Sequence, residues 1–134
     1  MNTRLNSLSI DHFNWPAWEK LIEQNGVTID RPYQSIHPDY PAIVYPINYG
    51  YINNTLGSDQ EEIDIFIGTA TNKLVAAIST TDFRKGDREW KFIYNCTPEE
   101  IYLVNGFINY NPDLLTGRLL MRQPMKDLWL TDAP

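Results

Sequence analysis

The sequence predicts a small α+β domain, mainly β, in which several short strands form a barrel with one or two helices packed outside it. Three observations carry this. An apolar stripe at helical spacing opens the chain, short apolar segments punctuated by turn residues fill its middle, and a strongly capped helix precedes one last strand. No βαβ alternation points to a parallel doubly wound sheet. With 134 residues, 43% of them hydrophobic, the chain can bury one core and lacks room for two ordinary domains, so residues 1–134 read as a single domain.

The first helix starts at Asn14, a good N-cap, with Pro16 in the first turn; Trp15, Trp18 and Leu21 or Ile22 form the stripe, and Asn25-Gly26 ends it. VTID at 27–30 reads as a short strand. HPDYPAIVYP at 37–46 holds three prolines, which fix φ and favour extended, non-helical backbone. YPINYG reads as a Tyr/Asn/Gly turn feeding an acidic run, and IDIFIG at 63–68 as a strand whose isoleucines pack on one face while the other carries acid. KLVAAIST at 73–80 and EWKFIYN at 89–95 read as strands joined by the charged loop DFRKGD, whose tip should be exposed.

Thr97-Pro98-Glu99-Glu100 is a helix start with Thr97 as N-cap, Pro98 at the first helical position and Glu100 completing a capping box. Ile101, Leu103, Val104, Phe107 and Ile108 supply its buried face. GRLLMR at 117–122 reads as the last strand, and the tail QPMKDLWLTDAP carries no clear signal. There is no internal repeat, low-complexity tract or interdomain linker.

Composition excludes several function classes. A net charge of −6 with RKGDR as the sole basic cluster leaves no stripe to neutralise a nucleic-acid backbone. One cysteine, Cys96, and two histidines, His12 and His37, exclude an intrachain disulfide and are too few for a structural zinc site. No apolar run approaches the about 20 residues that span a bilayer, and MNTRLNSLSIDHF lacks the apolar centre of a signal peptide, so a cytoplasmic protein is expected. No GxSxG elbow exists for a serine hydrolase.

The chemistry-bearing residues cluster after the Tyr/Asn/Gly segment. Asp59 and Glu61 share a face of an extended segment, and Asp64 follows at the start of the next strand. Carboxylates so crowded raise one another's pKa values unless a cation sits among them, and all-oxygen ligand sets suit magnesium, manganese or calcium. Taken alone, the same pattern also fits a solvated acidic loop.

YPINYGYINNTL followed by D-x-E-x-x-D resembles the signature of the soluble, family I inorganic pyrophosphatases, roughly YPxNYGFIPxTL and then DGDPxD. The resemblance implies a small OB-like mixed β-barrel with a helix outside it, and magnesium-dependent hydrolysis of inorganic pyrophosphate or a related small phosphoanhydride, with manganese as a substitute metal. Carried over by position, Tyr45 and Tyr49 match the tyrosines beside the phosphate pocket, Asp59 and Asp64 match the outer metal-binding aspartates, and Glu61 stands at the general base. In the family's second acidic motif, Asp82 and Asp87 match the two metal-binding aspartates, five apart as in the family. Lys91, matching a phosphate-binding lysine, lies four after Asp87 and two after Glu89, so Glu89 rivals Asp87. Without the family context, Asp82 and Asp87 also suit the ends of a hairpin turn. VTIDRPYQS places Asp30 at the family's glutamate that helps orient metal-bound water.

The chain also departs from the pattern. Asp39 stands where the family has a lysine, a nearby arginine is missing, and Tyr110-Asn111 replaces a Tyr-Lys pair. Arg31, Arg84, Lys85, Arg88, Arg118 and Arg122 are the cations available to compensate. Short pyrophosphatase-like proteins reading IDRPKGSxHPRYPDFIYPxDYGY are more similar than the full-length enzymes, and the resemblance covers roughly residues 27–111. Loss of basic residues leaves a second function open: a catalytically weak or inactive metal- or phosphate-binding protein. The expected partner is a small phosphate-containing substrate; homo-oligomers are compatible with the resemblance.

Overall fold

The computed structural model describes residues 13–57, 60–83 and 85–132, the last four by backbone alone. Helix α1 (Trp15–Asn25) begins where the Asn14 side chain accepts a hydrogen bond from the Ala17 amide at 3.1 Å and ends at Gly26, whose φ of 75° only glycine adopts freely. Six strands follow in the order β1 (Val27–Arg31), β2 (Asn48–Ile52), β3 (Asp64–Ile67), β4 (Leu74–Asp82), β5 (Asp87–Tyr94) and, after α2 (Pro98–Ile108), β6 (Leu115–Met121). A third helix, α3 (Met125–Asp132), closes the described chain.

The strands form one sheet in the order β1-β2-β3-β5-β4-β6, antiparallel throughout except for the parallel β3–β5 pair. The fold is thus α+β, mainly β, with one mixed sheet, as the sequence predicts. Two details differ: the sheet is not closed into a barrel, and three helices form rather than one or two. β1 stays an edge, and its Asp30-Arg31 end carries the charges that discourage further pairing.

Several local expectations are refined. The YPINYG segment is not merely a turn, because Asn48–Ile52 pairs on both sides as β2. In β3 both faces pack: Ile65 and Phe66 are each fully buried. Leu103 lies on the exposed side of α2 rather than with Ile101, Val104 and Ile108 in the core. The tail that carried no clear signal is α3.

The core has two layers. On one face of the sheet Phe66, Ile78 and Ile93 pack under Ile101, Val104 and Ile108 of α2 and Leu128 of α3. On the other, Ile52, Ile65, Ala77 and Phe92 pack against Phe13, Trp18 and Ile22. The capping box of α2 is complete: Thr97 Oγ1 accepts from the Glu100 amide at 3.2 Å, and Glu100 Oε1 accepts from the Thr97 amide at 2.9 Å. Among the described residues no helix is long and apolar enough to cross a membrane.

Two register features position the polar groups. In β1, Ile29 pairs with Gly50 and Arg31 with Tyr49, so Asp30 is the extra residue of a bulge. Regular alternation would put Asp30 opposite Tyr49; the bulge gives that place to Arg31. The close approach needs glycine at the partner position, because a Cβ on Gly50 would lie 1.9 Å from the Thr28 carbonyl oxygen. In the parallel pair, Asp64 of β3 stands beside Lys91 of β5.

Candidate active site

Because cross-strand partners share a sheet face, Arg31, Tyr49, Asp64, Glu89 and Lys91 all project from the α2 side of the sheet, beyond the end of its apolar layer. They line a cleft of about 930 Å³ together with Tyr45, Glu61, Asp82 and Lys85, and residues of α2 form its far wall.

Lys91 is the centre of the site. Only 7% exposed, it donates from Nζ to Asp64 Oδ2 at 2.6 Å, to Tyr49 Oη at 2.9 Å and to Glu89 Oε1 at 3.0 Å. Three donors therefore meet three acceptors. Burial alone would lower the pKa of the ammonium, but Tyr49, Asp64 and Glu89 outweigh it and hold the group charged well above the ordinary lysine range. Burial raises the Tyr49 hydroxyl, so it stays a neutral phenol at any physiological pH.

A second cation sits at the β1 side, where Arg31 Nη1 donates to Tyr45 Oη. The Tyr45 and Tyr49 rings stack with centroids 5.1 Å apart, and Phe107 of α2 meets Tyr45 at 5.0 Å. These rings fix both hydroxyls in place, one beside each cation. The arrangement offers the Arg31 guanidinium and the Tyr45 hydroxyl to an anion, while the Lys91 ammonium and Tyr49 hydroxyl are engaged by Asp64 and Glu89 beside them.

The predicted site residues fall into three groups. Tyr45, Tyr49, Glu61, Asp64, Asp82 and Lys91 line one cleft. Asp30 is exposed in the bulge, outside the lining, and Asp87 pairs with Asp82 at the end of the β4–β5 hairpin, also outside it. Asp59 and Arg84 lie outside the described residues. Of the two rivals for the second acid, Glu89 is the one that reaches Lys91, since the two alternate onto the same face of β5. Sequence reading named Arg31 only among six scattered cations; the bulge that selects it leaves no mark in residue periodicity.

A family model described as inorganic pyrophosphatase matches residues 23–93, more than half of the chain, and the protein belongs to that family. The matched span contains every polar residue of the cleft floor. Among solved structures, the inorganic pyrophosphatase of the pathogenic bacterium Helicobacter pylori is similar at 17% identity with a TM-score of 0.49, covering 78% of this chain and 88% of that one. No curated protein matches the chain.

The family generally uses a divalent metal, and the donor chemistry here fits one in kind, because Glu61, Asp64, Asp82 and Glu89 bring only carboxylate oxygens to the cleft. Their spacing is looser than a closed site: among the described residues no three His, Cys, Asp or Glu side chains gather as a metal cage. Two of the acids, Asp64 and Glu89, already share the Lys91 ammonium.

Proposed function

We propose that this chain, acting as one domain in the cytoplasm, hydrolyses inorganic pyrophosphate or a related small phosphoanhydride. The observation that carries the reading is the pairing of two cation–hydroxyl couples, buried Lys91 with Tyr49 and half-buried Arg31 with Tyr45, in one acid-lined cleft of a pyrophosphatase-family sheet. Asp64 and Asp82, with Asp59, would hold magnesium or manganese, with Glu89 as the remaining oxygen donor of the cleft; Asp30 and Asp87 lie outside its lining. Bound metal would supply charge neutralisation at the phosphoryl oxygens and a lowered pKa for the attacking water.

The chain's own residues do the rest. Arg31 binds the anionic oxygens, and Lys91 would join it by exchanging one of its present acceptors for the charge that develops on the leaving phosphate. Tyr45 and Tyr49 donate their hydroxyl hydrogens and orient the substrate between the two cations. Glu61 accepts the proton of the attacking water.

A second reading is favoured by one specific observation: Lys91 occupies the space between Asp64 and Glu89 that a metal would otherwise contest. Under that reading the cleft binds phosphate with little turnover. Phosphate release from pyrophosphate and tripolyphosphate, with and without magnesium, separates the two. Magnesium-dependent release supports the enzyme; binding without release supports the second reading.

A further inference from the structure

The cleft is larger and more apolar than inorganic pyrophosphate requires. Its volume of about 930 Å³ lies near the top of the roughly 300–1,000 Å³ range that suits drug-sized organic ligands. Pyrophosphate is much smaller and has no apolar surface to cover. Yet the lining also carries Val44, Tyr102, Leu103 and Tyr110, with Tyr102 59% and Tyr110 81% exposed. Large exposed side chains concentrated beside a charged floor mark a binding surface rather than chance exposure.

Gly106 adds an independent observation. It sits inside α2, where glycine is among the poorest helix formers, and it lines the same cleft. A Cβ placed there would meet no atom within 4 Å, so no packing contact inside the protein requires the glycine. Four residues from both Tyr102 and Tyr110, the missing side chain leaves open room between the two tyrosines in the cleft lining.

Building on the pyrophosphatase reading, we infer that the physiological substrate is a nucleoside 5′-diphosphate or triphosphate rather than bare pyrophosphate. Its anhydride would lie on Arg31 and Lys91, and its base would cross Gly106 to stack on Tyr110, with the Asn111 amide beside it for polar contact. A planar base with polar edges suits tyrosine faces and an amide better than a flexible hydrocarbon does. For a diphosphate, the water oxygen bonds to the β-phosphorus and the bridging P–O bond breaks. Its electron pair leaves with the nucleoside monophosphate, and the water's proton passes to Glu61.

Calorimetric titration with adenosine diphosphate, pyrophosphate and geranyl diphosphate, each with magnesium, alongside phosphate release, tests this. Adenosine diphosphate should bind at least as tightly as pyrophosphate and more tightly than geranyl diphosphate. Tyr110→Ala and Gly106→Leu should each lower the ratio of adenosine diphosphate to pyrophosphate affinity by about tenfold, the scale of one lost base stack. Gly106→Leu should also melt no lower than the parent protein, which certifies its fold. Binding of pyrophosphate without adenosine diphosphate overturns the inference and leaves the pyrophosphatase reading standing. Adenosine diphosphate bound but not hydrolysed, while pyrophosphate is hydrolysed, overturns the inference as well; hydrolysis of neither overturns the pyrophosphatase reading and the inference with it. Tighter binding of geranyl diphosphate, an unchanged ratio in both variants, or a dimer that covers Tyr110 would each overturn the inference.

Discussion

Replacing Lys91 by methionine keeps most of the side chain's volume and removes only the charge, so it isolates the electrostatic centre of the cleft. Breaking a buried ion pair by deleting one partner costs about 3–5 kcal/mol when the other is fully buried. Here the Lys91 side chain is 9% exposed, but Asp64 and Glu89 keep 26% and 25% of their surface and remain partly hydrated. The expected cost is therefore smaller, about 2–3 kcal/mol. For a chain of this length that corresponds to a fall in melting temperature of roughly 6–12 °C. The triple variant Lys91→Met/Asp64→Asn/Glu89→Gln should recover at least half of the loss, because no uncompensated charge remains. Thermal melts of the two variants decide it. A fall of less than about 2 °C in the single variant, or no recovery in the triple, would refute the view that Lys91 neutralises both acids. Magnesium adds a further readout: freed of the ammonium, the acids should give Lys91→Met a larger metal-induced rise in melting temperature than the parent shows.

Other predictions follow from the same geometry. Glu61→Gln should lower magnesium-dependent phosphate release by about 100-fold or more with little change in melting, whereas Glu61→Asp should retain activity; unchanged release in Glu61→Gln removes it as the base. Gly50→Ala should cost about 3 kcal/mol or more, seen in urea unfolding, since its Cβ would press on the Thr28 carbonyl oxygen and the β1–β2 pair has to separate. Lys91 and Tyr49 both hold protons more tightly folded than unfolded, so their contribution is complete below the unfolded values of 10.5 and 10.0 and is lost as pH rises past them. Chemical denaturation should then show a falling midpoint above pH ~10 that is much reduced in a Lys91→Met, Tyr49→Phe variant. Cys96 is fully buried and its thiol is pushed up chiefly by burial, so iodoacetamide labelling followed by mass spectrometry should report it unreactive until the chain unfolds.

Where the sequence was legible, local chemistry and tertiary demand agreed. The Asn14 cap, the Thr97–Glu100 box and the two long strands of the β4–β5 hairpin appear at the expected places because each is decided by neighbours in sequence. Tyr45, Tyr49, Asp64 and Lys91 were found through a resemblance whose motif lies on adjacent strands, and the structure brings them to one cleft. What escaped depended on partners far away in sequence. β2 looked like a turn because its Tyr, Asn and Gly residues signal one, yet pairing on both sides overrides that preference. Leu103 satisfied the helical stripe but faces the cleft, since the layer beneath α2 has room only for Ile101, Val104 and Ile108 on that side. Asp30 enters by its place at the family's glutamate and Arg31 only as one of six cations, because neither the resemblance nor alternation at period two carries information about an inserted residue.

That inserted residue makes the edge strand a reading frame for charge. Two neighbouring residues of opposite sign compete for the place beside Tyr49, and a one-residue offset, not a substitution, determines whether acid or base stands there. Deleting Asp30 would leave Arg31 in place on a regular ladder, whereas closing the bulge with Asp30 retained would turn the pocket's β1 wall from cationic to anionic. Within such a family, insertions and deletions along this strand would change ligand preference abruptly, and aligned columns there would conceal the change.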